Sequence, residues 1–366
     1  MKKLVKKNNL VKHQEVSVEK VTDNLFNDIR ALINSAKSHV ARTVDTGLVM
    51  LNWYIGNRIR KDILGEERAP YGEQIISTLS KRLILEYGRG YSEASLSRMM
   101  SFTEKYPDKQ ILASLTQKLS WSHFRELITI KDSLKRDFYT EMCRIEGWNY
   151  RILERKIDSM LFERCGLSRK PKDLARKELE LLKKEDLMTP DIAFRDPYFL
   201  DFLGLKNTFA EKDLEAAIIA EMEQFILEIG SDFAFMARQK RMMIDGNDFY
   251  LDLLFYHRGL KRLVAMELKL DDFKAEYKGQ MELYLRWLEK YEMRPGENKP
   301  LGLILCGKKN HEQIELLNLD ESGIRVSEYW TELPSKAILE KKLHEMIELN
   351  RKLLRNRKLL EKGTDK

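Results

Sequence analysis

The run LVAMELKL, residues 263–270, is apolar except for Glu267 and Lys269, two positions apart. Residues i and i+2 of a β-strand lie on one face, roughly 6.6 Å apart. The two charges therefore share a side, and Met266, Leu268 and Leu270 line the other. A run apolar on both sides reads as a covered central strand, so these charges do not point into open solvent. The preceding strand ends in His257-Arg258-Gly259-Leu260-Lys261. A type II′ turn at Gly259-Leu260 pairs Arg258 with Lys261 and fixes the register. In that register Leu254 pairs with Ala265, Tyr250 pairs with Lys269, and Asp252 faces Glu267 with Cβ atoms about 5 Å apart. A slip of one residue would undo the facing.

Two like charges about 4 Å apart repel by roughly 4 kcal/mol at an effective dielectric near 20. Burial costs each carboxylate several kcal/mol more. One lysine offsets part of that; a divalent cation offsets far more, and an all-oxygen site suits Mg²⁺ or Mn²⁺. Two helical stretches bring further polar groups. Glu215 falls inside the apolar stripe of Leu214, Ile218, Ile219, Met222, Phe225 and Ile229, and Gln280 falls inside that of Tyr277, Leu283, Tyr284 and Trp287. Gly279 costs its helix about 1 kcal/mol relative to alanine, which close approach to the sheet or to a phosphate would explain. Each group alone is ordinary: a snorkelling Glu, a common Glu-x-Lys, a lone Gln, an Asp beside an arginine. Their convergence on one spot points to a site, with a structural ion-pair cluster as the other reading.

The elements that must position these groups follow from periodicity. Asp213–Glu228 reads as an amphipathic helix, Phe233–Ile244 and Phe249–His257 as strands around the turn Asp245-Gly246-Asn247, and Lys261–Leu270 as a third strand. Lys274–Tyr291 reads as a second helix, LGLILCG at 301–307 as a central strand, and Ile324–Ser327 as a last short one. Ahead of them, residues 1–17 read as a basic tail and 18–64 as helical, with Leu25, Ile29, Leu32 and Ile33, then Leu48, Leu51, Ile55 and Ile59, at helical spacing. Ile75–Glu86, Gly88, Gly90 and an N-capping Ser92 suggest a helix-turn-helix whose second helix carries Ser95, Ser97 and Arg98; a plain helical hairpin fits as well. Trp121, Phe124, Leu127 and Ile128 are core candidates in a helical segment at 119–166. A charge-dense stretch broken by Pro190 and Pro197 sets a boundary near residue 170. From Ser335 to Leu360 a helix carries Leu339, Met346, Leu353 and Leu360 at seven-residue spacing. It fits either a dimer seam weakened by polar Asn350 and Arg357 or packing on its own domain.

Composition narrows the class. The 366 residues suggest two or three domains; the net charge of +7 permits a polyanionic partner without requiring one. Mean hydropathy is −0.48. No apolar run approaches the ~18–20 residues a membrane helix needs, and the basic start lacks the apolar core of a signal peptide. The three cysteines and six histidines are scattered, without a zinc or disulfide framework. A cytoplasmic protein is expected.

The order Glu, Asp, Glu-x-Lys, Gln on helix, strand, strand and helix resembles the PD-(D/E)XK nuclease superfamily. The stretches RDPYFLDFLGL, GNDFYLDLLFYHRGLKRLVAMELKLDDFKAEYKGQMELYL and LGLILC, and further upstream LNWYIGNRI and LSWSHFREL, resemble the YhcG family within it. Leu251 stands where the signature's name has proline, a position without chemistry. The resemblance implies an α/β, restriction-endonuclease-like mixed sheet flanked by helices (190–330), an all-α N-terminal domain (18–170) and a C-terminal helix (335–361). It implies catalytic roles for Glu215, Asp252, Glu267, Lys269 and Gln280, with Asp252, Glu267 and Glu215 holding Mg²⁺ or Mn²⁺. The implied activity is Mg²⁺-dependent endonucleolytic hydrolysis of DNA phosphodiesters, as in repair, recombination or defence; a homodimer is expected beside it, on the seven-residue series. Arg238, Lys240, Arg241, Arg258, Lys261, Arg262, Lys274 and Lys278 surround the motif, and of these Arg238, Lys240, Arg258, Lys274 and Lys278 are expected to reach phosphate. A non-catalytic DNA-binding or assembly protein on a nuclease scaffold, or an RNA nuclease, are the other readings.

Overall fold

Turn chemistry and alternation place the candidate site in a mixed six-stranded sheet. The strands are β1 (Tyr198–Phe199), β2 (Phe233–Ile244), β3 (Asn247–His257), β4 (Arg262–Leu268), β5 (Leu301–Cys306) and β6 (Ile324–Trp330), in spatial order β1-β6-β5-β4-β3-β2. The β2–β3–β4 meander is antiparallel, and β4, β5, β6 and β1 run parallel. The computed structural model describes residues 43–61, 72–205 and 209–363. The basic tail at 1–17 and the helical pattern at Leu25–Ile33 lie outside them. Contacts divide the chain into two compact units, Met1–Thr129 and Ile130–Lys366, a division earlier than residue 170.

The β2–β3 hairpin follows from Asp245-Gly246. Their φ angles, 50° and 78°, are both left-handed, as a two-residue type I′ turn requires. Ile244 therefore pairs with Asn247 and the register runs on from there. The β3–β4 connection differs from the expected type II′ turn. The left-handed residue is Lys261 (φ 51°), and the four residues Arg258 to Lys261 form the loop, closed by the Lys261 amide donating to the Arg258 carbonyl at 3.2 Å. The register survives because either loop spans Arg258–Lys261: His257 pairs with Arg262 and Leu254 with Ala265. A Cβ at Gly259 would stand 2.7 Å from Asp232 Oδ2, so the Asp232 side chain would have to shift to admit one.

On one face of the sheet the helix Glu276–Tyr291 buries Met281, Tyr284, Leu285 and Leu288 against Leu254, Leu263, Ala265 and Ile304. The expected Asp213–Glu228 helix is two segments, Glu211–Ala220 and Met222–Ile229, because Glu221 leaves helical backbone (φ −105°, ψ 33°). The apolar period runs through the break, so the sequence pattern does not reveal it. Strand β1 was not expected: two residues carry no period, and only pairing of Tyr198 with Tyr329 and Phe199 with Trp330 defines it. In the helix Lys336–Gly363, Leu339 and Met346 pack with Met160, Phe199, Leu343 and Trp330 of the same unit. That part of the seven-residue series is used internally.

In the N-terminal unit, helices 43–61, Gly72–Tyr87 and Glu93–Lys105 bury Ile59, Leu96 and Met99 together. Gly56 permits the crossing, since a Cβ there would sit 2.0 Å from the Met99 carbonyl oxygen. Ser92 caps as expected, its hydroxyl accepting from the Ser95 amide at 3.3 Å. Ser97 and Arg98 are exposed. Among the described residues no helix is long and apolar enough to cross a membrane.

Candidate active site

The β3–β4 ladder stops at Leu253–Met266, one rung short of Asp252 and Glu267. There the side chains take over from the backbone. The Asp252 amide lies 3.4 Å from Glu267 Oε1, and the Leu268 amide donates to Asp252 Oδ2 at 2.9 Å. The Lys269 amide turns to β5, donating to the Leu305 carbonyl at 2.8 Å, so the expected Tyr250–Lys269 pair does not form. Asp252 and Glu267 are thus neighbours where the two strands part, each in reach of the other's strand.

Burial and charge act together on this pair. Glu267 is 3% exposed. Burial first, and the Asp252 charge second, push its carboxyl up to about 7. Burial likewise raises Asp252, which is partly offset by the Leu268 amide and Lys269. Lys269 Nζ lies 3.1 Å from Glu267 Oε2 and 5.4 Å from the Tyr277 ring centre. Burial alone would lower its pKa, but Glu267 outweighs this and raises it, keeping the ammonium charged. One lysine thus faces two carboxylates, and the excess negative charge is held in a poorly solvated place.

Glu215 is buried at 5% exposure on the 211–220 helix. Its oxygens accept from Arg238 Nε and, at 2.7 Å, from Gln239 Nε2. The same Gln239 Nε2 donates to Asp252 Oδ1 at 3.1 Å. Glu215 therefore reaches Asp252 through an amide. Gln280 sits on the 276–291 helix and donates to the Tyr284 hydroxyl at 2.8 Å; that hydroxyl lies 3.4 Å from the Tyr250 carbonyl. Neither contact involves Lys269. Gly279 meets nothing within 4 Å where a Cβ would be, so it serves no approach to the sheet.

Sequence reasoning missed Gln239, which among Arg238, Lys240 and Arg241 reads as a solvated strand residue. A usable signal existed. A two-residue turn at Asp245-Gly246 pairs Ile244 with Asn247, and that register carries Gln239 opposite Asp252.

Of the cations expected at phosphate, Arg238 lies at the carboxylates. Lys274 pairs with Asp271 and stands 5.9 Å from the Tyr277 ring centre that Lys269 also approaches. Lys240 pairs with Glu292 at 2.6 Å, and Lys278 donates to the Leu317 carbonyl at 3.0 Å. Arg258 is exposed in the β3–β4 loop, about 20 Å along the strand from Asp252.

Among the described residues no three His, Cys, Asp or Glu side chains are grouped as a ready metal cage. The fit is to a two-carboxylate site. Magnesium is commonly held by one or two carboxylates and completed by water and substrate phosphate. Asp252 and Glu267 supply such a pair, and the raised Glu267 carboxyl marks charge that a cation would relieve. A cavity of about 390 Å³ lies elsewhere, along β6. Four of its cations are paired, Arg169 and Lys309 with Asp196, Lys170 and Arg325 with Asp191, and Arg195 donates to the Ile192 and Ala193 carbonyls. None of the five expected catalytic residues lines it.

Residues 191–344 match the family profile described as YhcG PDDEXK nuclease domain, and residues 28–164 match the DUF1016 N-terminal domain. The chain is 34% identical over 364 residues to a provisionally named nuclease, YhcG, of Escherichia coli (strain K12), spanning 91% of this chain and 93% of that one. Two solved structures are similar at low overall superposition. A repair endonuclease from Pyrococcus abyssi has 17% identity and a TM-score of 0.24, over 36% of this chain and 50% of that one. EndoMS in complex with dsDNA has 16% identity and a TM-score of 0.26, over 36% and 49%.

Proposed function

This chain belongs to the YhcG family of PDDEXK nucleases, and from that premise we propose that it cleaves DNA phosphodiester bonds endonucleolytically with Mg²⁺ or Mn²⁺ at Asp252 and Glu267. One observation carries the reading: two carboxylates crowded beyond the end of a ladder, one of them buried, with Lys269 as their cationic neighbour. The structure is otherwise costly, since buried like charges destabilise a fold unless something compensates them.

The bound cation would polarise the phosphodiester and favour ionisation of the attacking water. Asp252 and Glu267 would hold it, and Glu215, linked to Asp252 through Gln239, would be the further ligand drawn in from the 211–220 helix. Lys269, kept protonated by Glu267, stabilises the charge that develops on the phosphoryl oxygens. A charged ammonium is a poor proton acceptor, so Lys269 acts electrostatically and not as general base. Gln280 acts through Tyr284 in shaping the wall of the site. Arg238 and Lys274 receive the flanking phosphates, and Lys240, Lys278 and Arg258 extend the track. The helices Gly72–Tyr87 and Glu93–Lys105 offer Ser97 and Arg98 as a second nucleic-acid surface. We take the domains as 18–170, 190–330 and 335–361. A homodimer stays an expectation of the seven-residue series, resting on the part beyond Met346.

Plasmid nicking in Mg²⁺ by wild type, Asp252→Ala and Lys269→Ala tests the site. Loss in both variants supports it, and equal nicking by all three removes it. The same panel with linear, branched and RNA substrates tests DNA as the target; cleavage of RNA alone would replace it.

A further inference from the structure

Gln239 is exposed on the edge strand β2, yet its backbone is left-handed, with φ 47°. Left-handed backbone is uncommon outside Gly, Asn and Asp, and a long side chain held there is strained. The rung between Gln239 and Asp252 is missing from the hairpin ladder, and Ala237 and Met242, on either side of Gln239, pack into the same core cluster. The Asp245-Gly246 turn has already set the register, and the neighbours Arg238 and Lys240 pair regularly with Leu253 and Leu251. The irregularity at Phe235/Ala237 lies further along the strand. What the unusual conformation accompanies is the side chain's place: one amide nitrogen between Glu215 Oε2, at 2.7 Å, and Asp252 Oδ1, at 3.1 Å. Strained backbone persists where the surroundings fix it, and it collects at functional sites.

We propose that Gln239 is a positioning residue that ties Glu215 to Asp252, so that carboxylates on two separate elements present themselves to one divalent cation. Without that tie, Glu215 is held by Arg238 alone. The carboxylates of the helix and the strand repel, and no other hydrogen bond among the described residues links them. An amide supplies donors without adding charge, so it can hold two anions together and leave their negative potential for the ion. A lysine at the same place would neutralise it. The proposal rests on the reading that Asp252 and Glu267 hold a cation.

The discriminating variant is Gln239→Gly. Glycine accepts the left-handed backbone without strain, so it removes the amide and leaves the strand at ease. Titration calorimetry with Mn²⁺ on the full-length protein, beside thermal unfolding of the metal-free form, is the measurement. The expected result is Mn²⁺ binding weakened about tenfold with no fall in Tm. In the Glu215→Gln background the same substitution should weaken binding further by less than twofold, because the residue it positions is already altered. Unchanged or tighter Mn²⁺ binding in Gln239→Gly would overturn the proposal, as would independent, additive effects of the two substitutions. Asp252→Ala separates the two levels. If it abolishes the heat while Gln239→Gly behaves as wild type, only the role of Gln239 fails. If wild type and Asp252→Ala behave alike, the cation site itself fails and Gln239 goes with it.

Discussion

Asp252 and Glu267 meet where the β3–β4 ladder gives out, the Asp252 amide 3.4 Å from Glu267 Oε1. Backbone pairing up to Leu253–Met266 brings the two residues to the same end of the ladder. Its loss at the next step frees their oxygens from the rigid spacing of a sheet.

The first prediction concerns pH. In the unfolded chain Glu267 titrates near 4.5, and in the folded protein near 7. Between these values the native state binds more protons than the unfolded one, so stability falls as pH rises. The metal-free protein should therefore lose on the order of 3 kcal/mol from about pH 4.5 to about pH 7 at this site. Mg²⁺ or Mn²⁺ should restore it above pH 7 and do little at pH 5, where Glu267 is protonated. Urea melts across this range, with and without metal, measure both effects.

Glu267→Gln should separate stability from activity. At pH 8 it removes a desolvated charge, and metal-free Tm should rise by a few °C. Cleavage should fall by roughly 10²–10³, since the polarisation at stake is several kcal/mol and each 1.4 kcal/mol is tenfold. A variant that loses both stability and activity would instead make Glu267 a structural group.

Lys269→Ala leaves Glu267, 4% exposed at the side chain, without its ion-pair partner. The Glu267 carboxyl should move further up, and metal should bind no more weakly than in wild type once the pH exceeds the new value. The loss should fall on kcat more than on KM, because the ammonium acts on charge that develops in the transition state. Single-turnover cleavage at pH 8.5 against wild type reads this directly.

Asp196 should show the opposite pH sign. Burial alone would raise its carboxyl, but Lys309 and Arg169 together hold it down at about 2. The unfolded state then binds more protons below pH 3.8, so this stabilisation, on the order of 2–3 kcal/mol, is present above that pH and is lost as pH falls toward 2. Asp196→Ala also leaves Lys309, only 5% exposed, unpaired and should destabilise the fold by about 3–5 kcal/mol. Acid melts of wild type and Asp196→Asn distinguish this structural cluster from the Glu267 site.

Much of this molecule is legible in local chemistry. Asp245-Gly246 dictates one hairpin register. The Arg258–Lys261 span dictates the other even though the turn is of another type, so Asp252 had to approach Glu267. The run at 263–268, apolar on both sides, required a covered strand, and the 3.6-residue periods named the helices over the sheet. Other features depend on groups far apart in sequence. Strand β1 exists only because Tyr198 and Phe199 dock beside Tyr329 and Trp330. Gln280 turns to Tyr284, on its own helix, and not to Lys269. The burial that raises Glu267 is set by the packing around it in the whole unit. The left-handed turn of Gln239 that bridges Glu215 to Asp252 is the clearest case. Period and propensity describe a residue and its near neighbours, whereas strain and desolvation are set by whatever the whole fold packs around it.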